Sequence, residues 1–177
     1  MNQLIKVNPP FKYIGGKSWL QKELSILVNK QLQKNSHIDT YCEPFCGGLG
    51  AFLNIYHILL ENNIRNIILN DINSNMINLY KYIMDDIDKV VNNIKKMESL
   101  FENTIDVDKV KNTKNKDELK LLLKKANEFF IEQRNIFNKN KNQLNQEQAV
   151  QFLFLQWRLS VPVFSQVAAI SVVQVDA

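Results

Sequence analysis

Cysteine, proline, glycine and histidine are all scarce in this chain: 177 residues hold two cysteines, four prolines, five glycines and two histidines. Cys42 and Cys46 lie four apart in one glycine-rich segment, too close to staple distant parts of the chain. A disulfide scaffold is therefore excluded, and a reducing compartment, the cytoplasm, is the expected home. His37 and His57 stand at poor spacing from those cysteines for a zinc site, so no metal is expected. No stretch approaches the roughly 20 consecutive apolar residues of a membrane span, and the opening MNQLIKVNPP has no long apolar centre of a secretory signal. The composition also excludes collagen, a coiled-coil rod and disorder throughout.

What is present is the balance of an ordinary soluble domain: 45% of residues are hydrophobic and 23% charged. That is enough chain to bury one real core. The formal charge is +4, from 22 Lys and Arg against 18 Asp and Glu, with a pI near 9.0. This bias favours a polyanionic partner without requiring one. Asparagine and lysine are both abundant, and part of the basic charge reflects that usage.

Residues 37 to 71 carry the pattern of a nucleotide-binding unit. An apolar run ends through Tyr41, a glycine-rich turn follows, an apolar helix extends from about Leu49 to Leu60, and a strand covers Asn66 to Asn70. Strand, helix and strand in this order imply a parallel sheet with ligands at its carboxyl edge. Upstream, Leu20, Leu24, Leu27 and Val28 predict an amphipathic helix over Trp19 to Leu32, with Ser18 as its cap. Downstream of Asp71 the period becomes helical. Ser74 is the candidate cap, and Met76, Ile77, Tyr80, Ile83, Met84, Ile87, Val90, Val91, Ile94 and Met97 form one apolar face. Residues 103–117 read as a polar loop, with further helices from Glu118 to Lys139 and from Gln146 into Leu155. Phe129, Phe130 and Phe137 recur at helical spacing and are expected in a core. The sequence thus divides at residue 73 into an α/β part and a mostly helical part, 74–157, followed by an atypical tail, 158–177.

The strongest chemical signal is Tyr41-Cys42-Glu43-Pro44-Phe45-Cys46-Gly47-Gly48-Leu49-Gly50-Ala51-Phe52. Glycines let the backbone approach a ligand closely, and the helix that follows offers free amides and a positive dipole end to an anionic group. Asp71 closes the next strand about twenty residues later, where a carboxylate accepts hydrogen bonds from the ribose hydroxyls of an adenosine-containing cofactor. NAD and S-adenosylmethionine both satisfy this pattern. A Walker loop is excluded, because Gly16-Lys17-Ser18 lacks the earlier glycine at the required position. Phe11-Lys12-Tyr13-Ile14-Gly15-Gly16-Lys17 is a second unusual segment, whose Tyr13 is suited to stacking and Lys17 to pairing with a carboxylate.

These segments together resemble the Dam-type DNA adenine N6-methyltransferases. PFKYIGGK, EPFCGGLGAF and LND stand in the family's order, over residues 9 to about 155, with Tyr13 where the family usually has Trp. The resemblance implies an S-adenosylmethionine-binding Rossmann-like sheet with a mostly helical target-recognition insertion. Tyr13, Lys17 and Asp71 would contact the cofactor, while Glu43, Pro44, Phe45, Gly47, Gly48 and Gly50 shape its pocket. The implied partner is double-stranded DNA. The family's Asp-Pro-Pro-Tyr motif, which holds the adenine amine and stacks on the flipped base, has no counterpart after Asp71. Asn8-Pro9-Pro10-Phe11 has that pattern but abuts the first cofactor motif, and it is read as part of that motif. The last twenty residues hold six valines and no asparagine or lysine, although those two types fill more than a quarter of residues 1–145. No catalytic residue is therefore assigned, and the chain is expected to be a truncated or frame-shifted methyltransferase. A nicotinamide-dependent oxidoreductase and a non-enzymatic DNA-binding remnant are the alternatives. A monomer is expected, with association through an incomplete sheet edge as the competing state.

Overall fold

The computed structural model describes residues 20–157. Asn8, Tyr13, Lys17, Ser18 and the tail 158–177 lie outside the described residues. The chain divides into two compact units, the first ending at Ile77 and the second beginning at Asn78.

In the first unit α1 (Gln21–Lys34), β1 (Thr40–Glu43), α2 (Gly50–Glu61) and β2 (Asn66–Leu69) follow in order. The two strands pair in parallel, with Thr40 opposite Asn66 and Glu43 opposite Leu69. Parallel pairing requires a crossover, and α2 supplies it. This helix is apolar on most of its circumference: Phe52, Leu53, Ile55, Ile58 and Leu59 are buried, together with Ile64 beyond its end. Burial of each such side chain is worth roughly 1.5–3 kcal/mol, so α2 is the organiser of this unit. The strands expected between Tyr41 and Asn70 are thus present as a two-stranded parallel sheet within a mixed α/β unit.

Asn73, and not the expected Ser74, caps α3 (Ser74–Asp85): its Oδ1 accepts from the Asn75 amide at 3.2 Å. The long apolar face after Asp71 is also two helices, because Asp86 interrupts it. Asp86 Oδ1 accepts from the Lys89 amide at 2.9 Å and starts α4 (Ile87–Glu102). Met84, just before this break, is 84% exposed and leaves the core. The loop expected over 103–117 contains α5 (Val107–Asn112), capped by Asp106, and Asn115 caps α6 (Lys116–Leu122). The helix expected from Glu118 to Lys139 breaks at Leu123 into α6 and α7 (Lys124–Asn140).

In the second unit α8 (Gln146–Trp157) is buried without interruption from Gln148 to Phe154. A helix buried on successive faces over two turns belongs at the centre, and α4 and α7 both pack on it. Phe154 meets Phe101, Phe129 and Phe130 at ring separations of 6.0, 6.0 and 6.4 Å, and Phe137 meets Phe152 at 6.1 Å. Phe152 and Phe154 are buried in the core, while Phe129, Phe130 and Phe137, at the spacing that predicts a core, are half-buried and close over it. Two buried glutamines find partners: Gln148 Nε2 donates to the Phe137 carbonyl at 2.9 Å, and Gln151 Nε2 to Gln133 Oε1 at 3.4 Å.

Candidate functional site

The candidate site is the loop between β1 and α2, held against the end of β2. Pro44 has no amide hydrogen, so the ladder of β1 cannot continue through it. The chain instead crosses to the second strand: the Asn70 amide donates to the Glu43 carbonyl at 2.9 Å, and the Cys46 amide to the Asn70 carbonyl at 2.8 Å. A tight turn follows, closed by the Leu49 amide on the Cys46 carbonyl at 2.8 Å. Gly47 adopts φ 48°, open to glycine at no steric cost. Leu49 adopts φ 66° as the residue before α2, a left-handed backbone that costs a non-glycine residue on the order of 1–2 kcal/mol. Its buried side chain offsets that strain.

Asp71 latches this loop. Its Oδ2 accepts from the Gly47 amide at 2.9 Å and its Oδ1 from the Asn73 amide at 2.9 Å. One carboxylate therefore fixes both the glycine turn and the chain leading into α3. Each carboxylate oxygen carries a further lone pair, so two backbone bonds leave acceptor capacity toward a ligand.

Glu43 is held differently. Its Oε2 accepts from the Tyr41 hydroxyl at 2.8 Å, and its carboxylate also accepts a backbone hydrogen bond from Phe52, in the first turn of α2. The Tyr41 ring lies 6.1 Å from that of Phe52, nearly parallel to it. Burial raises the Glu43 carboxyl above its ordinary value, although both hydrogen bonds pull it down. Burial also drives the Tyr41 phenol upward, assisted by the charge and the hydrogen bond of Glu43. The Cys46 thiol, 3% exposed, is pushed up to about 11 by burial, with the charges of Asp71 and Glu43 adding to the shift. Burial thus favours the protonated thiol, the state of an inert structural cysteine.

The sequence-predicted residues Glu43, Pro44, Phe45, Gly47, Gly48, Gly50 and Asp71 all fall on these two connected segments. Phe45 is 81% exposed and Pro44 is exposed, whereas Gly48 and Gly50 are buried. Sequence reasoning missed Ile72, which is 95% exposed directly after Asp71. An isoleucine following the last polar residue of a strand was the available signal. Phe45 and Ile72 are thus large apolar side chains held out at the carboxyl ends of neighbouring strands, where burial does not explain them. Among the described residues no group of three or more His, Cys, Asp or Glu could hold a metal ion. Nor is any described helix long and apolar enough to cross a membrane.

Comparison with known proteins places this sequence in a family. Residues 13–161 match the model of the D12 class N6 adenine-specific DNA methyltransferases. The chain is also 31% identical, over 152 residues, to the Type II methyltransferase M.MjaIII of Methanocaldococcus jannaschii. That alignment covers 85% of this chain and 45% of the relative, so the chain spans about half the length of the curated protein it matches. No solved structure gives a significant match. The family match takes in the glycine loop, Asp71 and the helical unit through α8, and the chain belongs to the D12 class of N6 adenine-specific DNA methyltransferases.

Proposed function

We propose that this chain is the S-adenosylmethionine-binding portion of an enzyme that methylates adenine N6 in duplex DNA. The observation that carries the reading is the 2.9 Å bond from the Gly47 amide to Asp71, which joins a glycine loop and an acidic strand end at the carboxyl edge of a parallel sheet. The residues present fit the cofactor. Asp71 retains lone pairs for ribose hydroxyls, Phe45 and Ile72 offer exposed apolar surface to a purine, and Gly47 leaves room that a Cβ would fill. When bound, S-adenosylmethionine supplies a methyl group on a sulfonium, open to direct displacement by an adenine amine.

In this reading residues 1–73 belong to a Rossmann-like sheet, with Tyr13 and Lys17 as further cofactor contacts. Residues 74–157 are a helical target-recognition insertion, and 158–177 are foreign to both. The chain's task is to bind and orient: Asp71 and Gly47 fix the loop, and Glu43 anchors it to α2. No Asp-Pro-Pro-Tyr follows Asp71, so the 177-residue chain alone binds the cofactor and transfers no methyl group. It works as a monomer in the cytoplasm without a resident metal. The competing state, self-association, would run through an open edge of the β1–β2 sheet, each strand of which pairs on one side only among the described residues.

Isothermal titration of the chain with S-adenosylmethionine tests this reading. Binding is expected, with Asp71→Asn weakening it about tenfold or more, through removal of one charge-assisted hydrogen bond. Ile72→Ser is expected to weaken binding without lowering the melting temperature, since the side chain is already exposed. NADH binding that S-adenosylmethionine does not displace would overturn the proposal in favour of an oxidoreductase.

A further inference from the structure

The positive charge of the chain is not evenly spread. Residues 109–125 hold seven lysines against Asp117 and Glu118, a net +5, whereas the whole chain carries +4, so the remaining 160 residues sum to −1. The segment covers most of α5, the connection to α6, α6 itself and the first turn of α7. Lys109, Lys114, Lys116, Lys120, Lys124 and Lys125 are all exposed. Among the described residues, Lys109 pairs with Asp106 at 3.1 Å and Lys124 with Glu128 at 3.9 Å. Both pairs are solvent-exposed and worth little, so they yield readily to a stronger anion. Lys114, Lys116, Lys120 and Lys125 form no ion pair with a described carboxylate.

These lysines sit on or between helices linked one to the next as far as the aromatic core. α5 packs on α6, α6 packs on α7, and α7 is bound to α4 and α8 through Phe129 and Phe130. Asn115 Oδ1 accepts from the amides of Asp117 and Glu118 and fixes the start of α6. Between α5 and α6 runs an open groove of about 490 Å³, in which Lys109, Lys114, Asn112 and Thr113 share the lining with Asp108 and Glu118. The lysines attract a phosphodiester and the two acids oppose it.

We propose that α5, α6 and the first turn of α7 form a backbone-contacting surface for duplex DNA, with Lys114, Lys116, Lys120 and Lys125 meeting phosphates. This rests on the methyltransferase reading, which supplies the duplex as partner. Binding there is sequence-independent and driven by counterion release, so it positions the protein and leaves base reading to other residues.

The test is fluorescence anisotropy of the full chain with a labelled duplex of about 20 base pairs, at about 50 to 200 mM KCl, where counterion release gives a measurable slope. The variant K114Q/K116Q/K120Q/K125Q is expected to bind about tenfold or more weakly, with a salt slope shallower by about one for each phosphate that a lysine no longer neutralises. Asp108→Asn with Glu118→Gln is expected to bind about threefold tighter, a gain that misfolding cannot imitate. Lys22, Lys30 and Lys34, exposed on α1, serve as the control set, and their Gln variant keeps wild-type affinity and slope. A quadruple variant with wild-type affinity and slope overturns the proposal. So does a wild-type chain that does not bind duplex, or one that binds RNA of the same sequence more tightly. Calorimetry with S-adenosylmethionine on the same proteins separates the two readings. Cofactor binding with lysine-independent DNA binding removes the surface alone, and lysine-dependent DNA binding without cofactor binding removes the cofactor site alone.

Discussion

A carboxylate that accepts a hydrogen bond from the first turn of a helix is ordinarily held below its usual pKa, and Glu43 shifts in the opposite direction. Its partners, the Tyr41 hydroxyl and the Phe52 amide, favour the charged form, but burial against the sheet outweighs both. Because the folded-state value lies above the ordinary 4.5, the folded chain binds more protons than the unfolded chain across that window. The associated stability is full below the ordinary value and is lost as pH rises through the raised folded value. Glu98 on α4 shifts in the same direction, through burial and the neighbouring charge of Glu102, and contributes with the same sign. Urea unfolding of the wild-type chain is therefore expected to show stability falling as pH rises from 4.5 toward neutrality. Glu43→Gln should flatten part of that fall, because the amide keeps an acceptor for Phe52 without the desolvated charge. An identical slope in the variant would mean that Glu43 is effectively hydrated.

Elements are held by cores, and α8 shows how strongly. Phe154 is 4% exposed and touches three other rings drawn from α4 and α7. Phe154→Ala is expected to cost about 3–5 kcal/mol in denaturant unfolding, the range for a large aromatic removed from a filled core. A cost below about 1 kcal/mol would show that the site collapses or that the cluster is loosely packed. The same elements show what was legible in the sequence. The order β1, α2, β2 and the glycine loop were readable, because apolar runs and glycines mark them without tertiary help. Helix boundaries were less so. The chain has twenty-three asparagines, so capping residues are available almost everywhere, and packing selects among them. Asn73 displaced Ser74, Asp86 split one apolar face into two helices, and α5 formed inside an apparent loop behind Asp106. Within the site, the type and position of Asp71 were legible from spacing. Its bonds to Gly47 and Asn73 were not, since they depend on how the strand ends meet. The burial of Cys46 and the exposure of Ile72 likewise come from the path of the backbone, which residue type alone does not encode.

At the scale of the whole molecule there are two compact units: residues to Ile77 hold the glycine loop and Asp71, and residues from Asn78 hold the aromatic core and the basic segment, so the proposed function divides the work between them. A ligand stabilises only the states that bind it, by about 2.7 kcal/mol when present at 100 times its Kd. If the site is as proposed, saturating S-adenosylmethionine should slow amide exchange in the first unit by up to about a hundredfold. The protection should centre on the amides of Cys46, Gly47 and Asn73, whose acceptors are Asn70 and Asp71. The amides of α4, α7 and α8 should exchange at unchanged rates, because their protection arises from the phenylalanine core of the second unit. Hydrogen exchange followed by peptide mass spectrometry resolves these segments. Equal protection across residues 40–157 would mean that the chain opens as one cooperative body, and the division of labour would be lost. Protection confined to α4, α7 and α8 would place the cofactor in the helical unit and overturn the assignment of Asp71.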